Sequence, residues 1–252
     1  MSELRLQRAG GVSIQSSSDI LRCAENLRDI ADGYGLRVLP WHSLGSPMPM
    51  ATDDGEPLCS QVFGWSGDSE WWHSLARRKY SPLADLCLYQ TEPFWSHING
   101  GPKSRHPSSS VDKIDFGYVW ANSEAKALLV IPVHMQLGQV GVVAFASASE
   151  DVDFEEYMDH LALLSHTFLS SYVRTKMMKK RPQVYEQLSS REIDCLSWAL
   201  DGKTDRDIAE ITGRSYATVR FHISSAAAKL RTVNRAQTLA KAATLGYLGV
   251  AA

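Results

Sequence analysis

The chain has 252 residues and a formal net charge of −2, enough for one sizeable domain and one small one. Its four cysteines are scattered without CxxC or His/Cys spacing, which excludes a disulfide-stapled scaffold and the common zinc sites. No apolar run reaches the roughly 18 residues needed to span a membrane, and the N-terminus lacks the apolar region of a signal peptide. The composition therefore predicts a cytoplasmic protein with no metal or cofactor.

The charge is distributed unevenly along the chain. Residues 1–173 carry 12 Lys and Arg against 21 Asp and Glu, a net −9, whereas residues 174–252 carry 14 against 7, a net +7. A small basic region following a large acidic one indicates that only the C-terminal part would bind a nucleic acid.

The first 178 residues alternate between helical and extended patterns. Apolar spacing predicts a helix over 18–34, strands over 36–41 and 60–65, helices over 68–79 and 83–89, and a polar loop over 96–115. The apolar runs 127–135 and 140–147 predict a hairpin whose two faces are both covered. Asp153 opens a long helix that ends near Met178. Together these elements predict an α/β/α sandwich over 1–178, followed by a linker over 179–185.

Residues 186–252 have the pattern of a small domain built only from helices. Thr204 and Asp207 have the spacing of a capping box, Gly213 ends the helix that they begin, and Ser215 caps the next helix. A short helix, a glycine turn and a second helix are typical of a helix-turn-helix. The fold class is thus predicted as α+β, a sandwich domain followed by a four-helix DNA-binding domain.

The second helix of this motif has two distinct faces. At about 100° per residue, Val219, Ile223, Ala226 and Leu230 lie on one side and should be buried. The opposite side carries Ala217, Phe221, Ser224 and Ala228, with Arg220 at its edge and Thr218 near its N-terminus. In a recognition helix such residues face base edges, where an arginine can bind guanine and a phenylalanine can contact a thymine methyl. Side chains suited to phosphates surround this helix: Lys203, Arg214, Lys229, Arg231, Asn234 and Arg235.

The segment 186–248 resembles the LuxR-type DNA-binding domain. The matching residues are Leu188-Ser-Ser-Arg-Glu192, Leu196, Gly202, Asp207-Ile-Ala209, Thr218-Val-Arg220, His222, Lys229-Leu230 and Asn234-Arg235. The resemblance implies a four-helix domain that dimerises through its last helix and binds a two-fold DNA site. Many members carry Lys or Arg at position 224, so Ser224 leaves the base preference open.

The segment 70–95 is rich in aromatic residues and contains a carboxylate, Asp85. Aromatic rings with a few orienting polar groups are typical of a small-molecule pocket, although they also pack ordinary cores. The residues that we consider for such a site are Trp72, Ala76, Tyr80, Asp85, Trp95 and Leu128.

This segment resembles the autoinducer-binding domain of LuxR-type quorum-sensing receptors. Trp72 and Asp85 match the family's Trp and Asp in spacing, and Trp95 matches a later Trp in its Pro-Phe-Trp setting. The resemblance implies that Trp72 holds a lactone carbonyl, that Asp85 accepts from a ligand amide, and that Trp95 lines the pocket. Ala76 and Leu128 stand where the family has Tyr and Gly. An acyl-homoserine lactone is the first expectation, and an orphan receptor with another ligand, or with none, is the alternative.

Two other classes of protein fit the sequence less well. No HExxH, GxSxG or GxxxxGK[ST] motif is present, so no enzyme class is indicated. A phosphorylation-controlled response regulator would begin with a hydrophobic strand that ends in paired acids, whereas this chain begins with a helix. A regulator whose large domain only dimerises, without a ligand, remains open.

Overall fold

The computed structural model describes residues 11–44, 49–64, 82–106, 111–121, 124–135, 138–179 and 186–248. The chain forms two compact units, Met1–Arg181 and Pro182–Ala252. None of the helices in the described ranges is both long and apolar enough to cross a membrane.

A five-stranded antiparallel sheet forms the centre of the N-terminal unit. Its strands are β1 (Arg37–Trp41), β2 (Phe94–His97), β3 (Lys103–Ser104), β4 (Ala127–His134) and β5 (Val140–Ser147), in the order β1-β5-β4-β2-β3. Strands β4 and β5 form the predicted hairpin, in a register that runs from Ala127 opposite Ser147 to His134 opposite Val140. Both strands are buried almost throughout, as their continuous apolar runs require.

The helices of this unit are α1 (Ile20–Asp32), α2 (Leu58–Gln61), α3 (Pro82–Tyr89), α4 (Gly117–Ala121) and α5 (Met158–Lys179). Helices α1 and α5 cover one face of the sheet, where Leu169 of α5 packs so closely on Gly141 that a Cβ there would lie 2.9 Å from Leu169 Cδ1. Helices α3 and α4 cover the other face, where the rings of Phe94 and Phe116 are 6.4 Å apart. The unit is therefore an α/β/α sandwich, as predicted.

Two expectations for the N-terminal unit are wrong. The segment 60–65 was expected as a strand, but Leu58–Gln61 is helical, because Leu58 and Val62 are four residues apart and are buried together. The expected polar loop over 96–115 contains the end of β2 and all of β3. The helix expected over 68–79 lies outside the described residues.

The described residues of the C-terminal unit form four helices, as predicted: α6 (Ser190–Leu200), α7 (Asp205–Thr212), α8 (Tyr216–Lys229) and α9 (Arg235–Thr244). Leu196 of α6, Ala226 of α8 and Ala242 of α9 form one part of the core. Cys195, Ile208 and Val219 form the other part, between α6, α7 and α8. Helix α8 is thus held against each of the other three helices.

Candidate DNA-binding surface

Local interactions set the turn between α7 and α8. Thr204 accepts a hydrogen bond from the Asp207 N–H at 3.3 Å, and Asp207 Oδ2 accepts one from the Thr204 N–H at 2.8 Å, so the predicted capping box is present. That backbone hydrogen bond holds the pKa of Asp207 below its ordinary value. Gly213 ends α7 in the left-handed region at φ 63°, and Ser215 then caps α8 by accepting from the Thr218 N–H at 3.1 Å. The angle between the two helices therefore depends on residues close together in the sequence.

The burial of α8 matches the predicted division into two faces. Val219, Ile223, Ala226 and Leu230 are buried, whereas Ala217, Arg220, Phe221, Ser224 and Ala228 are exposed. Phe221 is 67% exposed, although it lies on a folded helix with an apolar core available on its other side. Thr218 is half-buried, donates its N–H to the Ser215 hydroxyl, and has its own hydroxyl 2.9 Å from that of Ser215. The exposed face of α8 offers small side chains around Arg220 and Phe221.

The side chain of Glu192, in α6, forms hydrogen bonds with residues of α8. Its side chain is 4% exposed and accepts hydrogen bonds from the Ser189 N–H at 2.7 Å, the Ser225 hydroxyl at 2.6 Å and Lys229 Nζ at 2.8 Å. Burial raises the pKa of the Glu192 carboxyl, but the hydrogen bonds from Lys229, Ser225 and Ser189 outweigh it and lower the pKa to about 2. The carboxylate is therefore ionised at neutral pH, and it holds the C-terminal half of α8 in place.

The structure separates the residues that we expected to contact phosphates. Lys229 is paired with Glu192, Arg235 is paired with Asp205 and donates to the Lys203 carbonyl, and the Asn234 side chain caps α9 by accepting from the Gln237 N–H. Each of these side chains thus has a partner within the domain, and its contact with a phosphate stays a prediction. Arg214 is half-buried near Cys195.

Two of the expected phosphate ligands, Lys203 and Arg231, are exposed. Arg206, in the first turn of α7, is exposed as well, although it is not among the residues expected from the sequence. Helical spacing from the buried Ile208 could have identified it, because a residue two positions before a buried one lies on the outer side of the helix.

The expected ligand residues of the N-terminal unit are only partly described. Trp72, Ala76 and Tyr80 lie outside the described residues. Asp85 is exposed on α3, whose buried residues are Leu83, Leu86 and Cys87.

Trp95 and Leu128 are both buried, but they point to opposite faces of the sheet. Trp95 pairs with Leu129, and Leu128 pairs with Ser96, so neighbouring side chains alternate between the faces. Leu129 shares the face of Gly141, which α5 covers, and Leu128 shares the face of Phe94, which α3 and α4 cover. The structure therefore does not bring Trp95 and Leu128 together in one pocket.

Comparison with known proteins identifies the domain family of the C-terminal unit. Residues 186–242 match the family described as "Bacterial regulatory proteins, luxR family". Over 242 residues the chain is 27% identical to the transcriptional activator protein LuxR of Aliivibrio fischeri, covering 93% of this chain and 90% of the relative. Over 122 residues it is 33% identical to RpaR of Rhodopseudomonas palustris, a quorum sensing-dependent transcriptional regulator, covering 47% of each chain.

The fold of the whole chain has also been seen before. The crystal structure of Escherichia coli SdiA superposes with a TM-score of 0.53 at 16% identity, covering 97% of this chain and 96% of that one. The family is one of transcriptional regulators and not of enzymes. The C-terminal unit therefore contains the DNA-binding domain of the LuxR family, and the chain is similar to a transcriptional activator of that family over nearly its whole length.

Proposed function

We propose that this regulator reads a two-fold DNA site as a homodimer, with the exposed face of α8 in the major groove. The observation that carries the proposal is Phe221, which is 67% exposed next to the exposed Arg220 on a helix packed on its other side. An exposed aromatic ring on a folded surface indicates a partner, and arginine beside it supplies the fork that binds guanine. Two such helices in a dimer would lie about 34 Å apart, one turn of DNA.

To test this proposal, duplexes that bind to the full chain are selected from a pool of random DNA sequences. Once a preferred site is known, Arg220→Ala should reduce the affinity for that site relative to random DNA by about 10- to 100-fold, because a base contact is lost. Lys203→Ala is the matched control, since it removes a cation outside α8 and should weaken all sequences alike. Equal affinity of Arg220→Ala and the parent for the preferred site would refute the assigned orientation of α8.

We further propose that the N-terminal unit binds a small molecule, with an acyl-homoserine lactone as the first candidate. The support is similarity to LuxR over nearly the whole chain and to the quorum sensing-dependent RpaR over about half of it. The sheet face that carries Leu128, Val130 and Ala144 is buried and apolar, as an acyl chain requires. Binding would control DNA affinity only to the extent that the ligand prefers the DNA-competent state.

A second candidate is an orphan regulator that responds to a different small molecule or acts without one. The exposed carboxylate of Asp85 and the opposite orientations of Trp95 and Leu128 favour it. Both candidates share a DNA partner, which in a bacterium places the protein in the cytoplasm.

A further inference from the structure

The end of α8 adopts a backbone conformation that is unfavourable for the residue found there. Arg231 has φ 53°, in the left-handed region. In the described part of the chain, every other residue with a positive φ is a glycine. The Arg231 N–H bonds to the Ala228 carbonyl at 3.0 Å, and the Thr232 N–H bonds to the Ala227 carbonyl at 2.9 Å. This is the Schellman end of a helix, in which glycine is strongly preferred at the left-handed position.

The other helices of the same unit follow the usual rule. After α6, α7 and α9 the left-handed position is occupied by Gly202, Gly213 and Gly246, with φ of 81°, 63° and 78°. The Lys203 and Tyr247 N–H groups close the same type of hydrogen bond beyond α6 and α9, at 3.0 Å each. Only at the end of the recognition helix, among the described helices of this unit, does a residue with a Cβ stand in place of glycine, at a cost in stability.

No side-chain contact within the described ranges explains why this position is an arginine. Arg231 is exposed, and within the described ranges its side chain has no recorded hydrogen bond or ion pair. The neighbouring Thr232 is instead fixed, through its hydroxyl, to the Ala227 carbonyl at 3.2 Å and to Thr238 at 2.7 Å. The backbone that carries Arg231 is therefore held rigidly while its guanidinium faces solvent.

The position of Arg231, just beyond the end of α8, indicates which part of the DNA its guanidinium would contact. The 14 residues of α8 make a helix about 21 Å long, whereas the major groove is about 12 Å wide. When the N-terminal half of α8 lies in the groove, its C-terminal end must leave the groove beside the sugar-phosphate backbone. Lys229, the last residue of α8, is already paired with Glu192 and cannot supply the charge there without breaking that pair.

We propose that Arg231 is a phosphate-binding residue at the end of the recognition helix, and that its strained backbone is the cost of placing a charge where glycine would stabilise the fold. The inference rests on the proposed use of α8 to read DNA and adds a second, sequence-independent contact to it. Unlike Arg220, Arg231 should affect affinity for every DNA sequence equally.

The test compares Arg231→Gly, Arg231→Lys and the parent as full-length chains. Arg231→Gly should slow hydrogen exchange of the amides in 216–248 by about five-fold, since the strain is relieved. The same substitution should weaken binding to both preferred and random duplexes by about ten-fold and reduce the slope of log affinity against log salt by about one. Arg231→Lys keeps both the strain and the charge, so it should bind DNA nearly as the parent does.

Gly246→Arg is the matched control for the backbone alone. It places an arginine in the same conformation at the end of α9, and should speed exchange without adding DNA affinity. If Arg231→Gly binds every duplex with the affinity and salt dependence of the parent, the inference is overturned, while the Arg220→Ala comparison still decides the proposed function. If the parent binds neither duplex at low salt, the proposed function fails and the inference with it.

Discussion

Glu192 shows how one buried side chain can determine the position of a reading helix. Its neighbours Ser189, Ser225 and Lys229 come from the start of α6 and from the second half of α8. In the sequence, Ser189 and Glu192 indicate only a capping box. The further contacts join residues 33 and 37 positions apart, so they depend on how α6 packs on α8.

We expect Glu192→Gln to destabilise the C-terminal unit by about 3 kcal/mol at neutral pH, since the ionised form is favoured by a pKa of about 2 against an ordinary 4.5. A pKa lowered by folding contributes stability above about pH 4.5, and this contribution is lost as the pH falls toward 2. The difference between variant and parent should therefore shrink across that range. Hydrogen exchange of the amides in 190–200 and 216–229 measures this difference in the free energy of unfolding at each pH.

The exposed Glu210 on α7 provides the control for this prediction. Glu210→Gln should change exchange in the same segments by less than about 0.5 kcal/mol at any pH. A Glu192→Gln effect that stays constant down to pH 2 would mean that the lost charge is not its cause.

At the scale of elements, the β4–β5 hairpin was predictable, whereas the packing on its faces was not. Two apolar runs separated by a short polar turn indicate a hairpin, but they do not say which neighbour lies closest. Gly141 stands at the start of β5 where the Trp41 carbonyl, Leu169 and Met135 converge. A glycine is needed there because the chain of β1 and the side chains of α5 and the hairpin turn approach closely.

Gly141→Ala should destabilise the N-terminal unit by about 2 kcal/mol, because the added Cβ would lie 2.7 Å from the Trp41 carbonyl oxygen and 2.9 Å from Leu169 Cδ1. Urea unfolding of the full chain, followed by hydrogen exchange of the strand amides, measures the change. Gly101→Ala is the control, since a Cβ at Gly101 meets nothing within 4 Å. Equal stability of the two variants would show that β1 or α5 shifts without cost.

At the scale of the whole molecule, the two compact units differ in the sign of their charge, but by less than the division at residue 173 indicates. Residues 1–181 carry 17 Lys and Arg against 21 Asp and Glu, a net −4, and residues 182–252 carry 9 against 7, a net +2. The acidic N-terminal unit contains the sandwich, and the basic C-terminal unit contains the helices that present Arg220 and Phe221. Control of one unit by a ligand of the other requires differential affinity, and the coupling must be reciprocal. A ligand that raises DNA affinity by some factor must itself bind the DNA complex more tightly by the same factor.

Native mass spectrometry of the chain expressed with a panel of acyl-homoserine lactones tests the ligand. We expect one lactone to be retained, and Asp85→Ala to reduce its retention by at least ten-fold, because the hydrogen bond between carboxylate and ligand amide is lost. Asp112→Ala, another exposed carboxylate of the same unit, is the control. Unchanged retention by Asp85→Ala would remove Asp85 from the site, and retention of no lactone would favour the orphan regulator.

The sequence by itself determined the helices of the C-terminal unit, their caps at Thr204 and Ser215, and which face of α8 is buried. These features depend on residues within about one helical turn of each other, and such interactions leave a pattern in the sequence. Only the tertiary structure decided that Lys229 and Arg235 are paired, that the exposed Arg231 has a left-handed backbone, and that Trp95 and Leu128 lie on opposite faces. Those outcomes depend on partners far away in the chain and on strand register, and local spacing does not encode either.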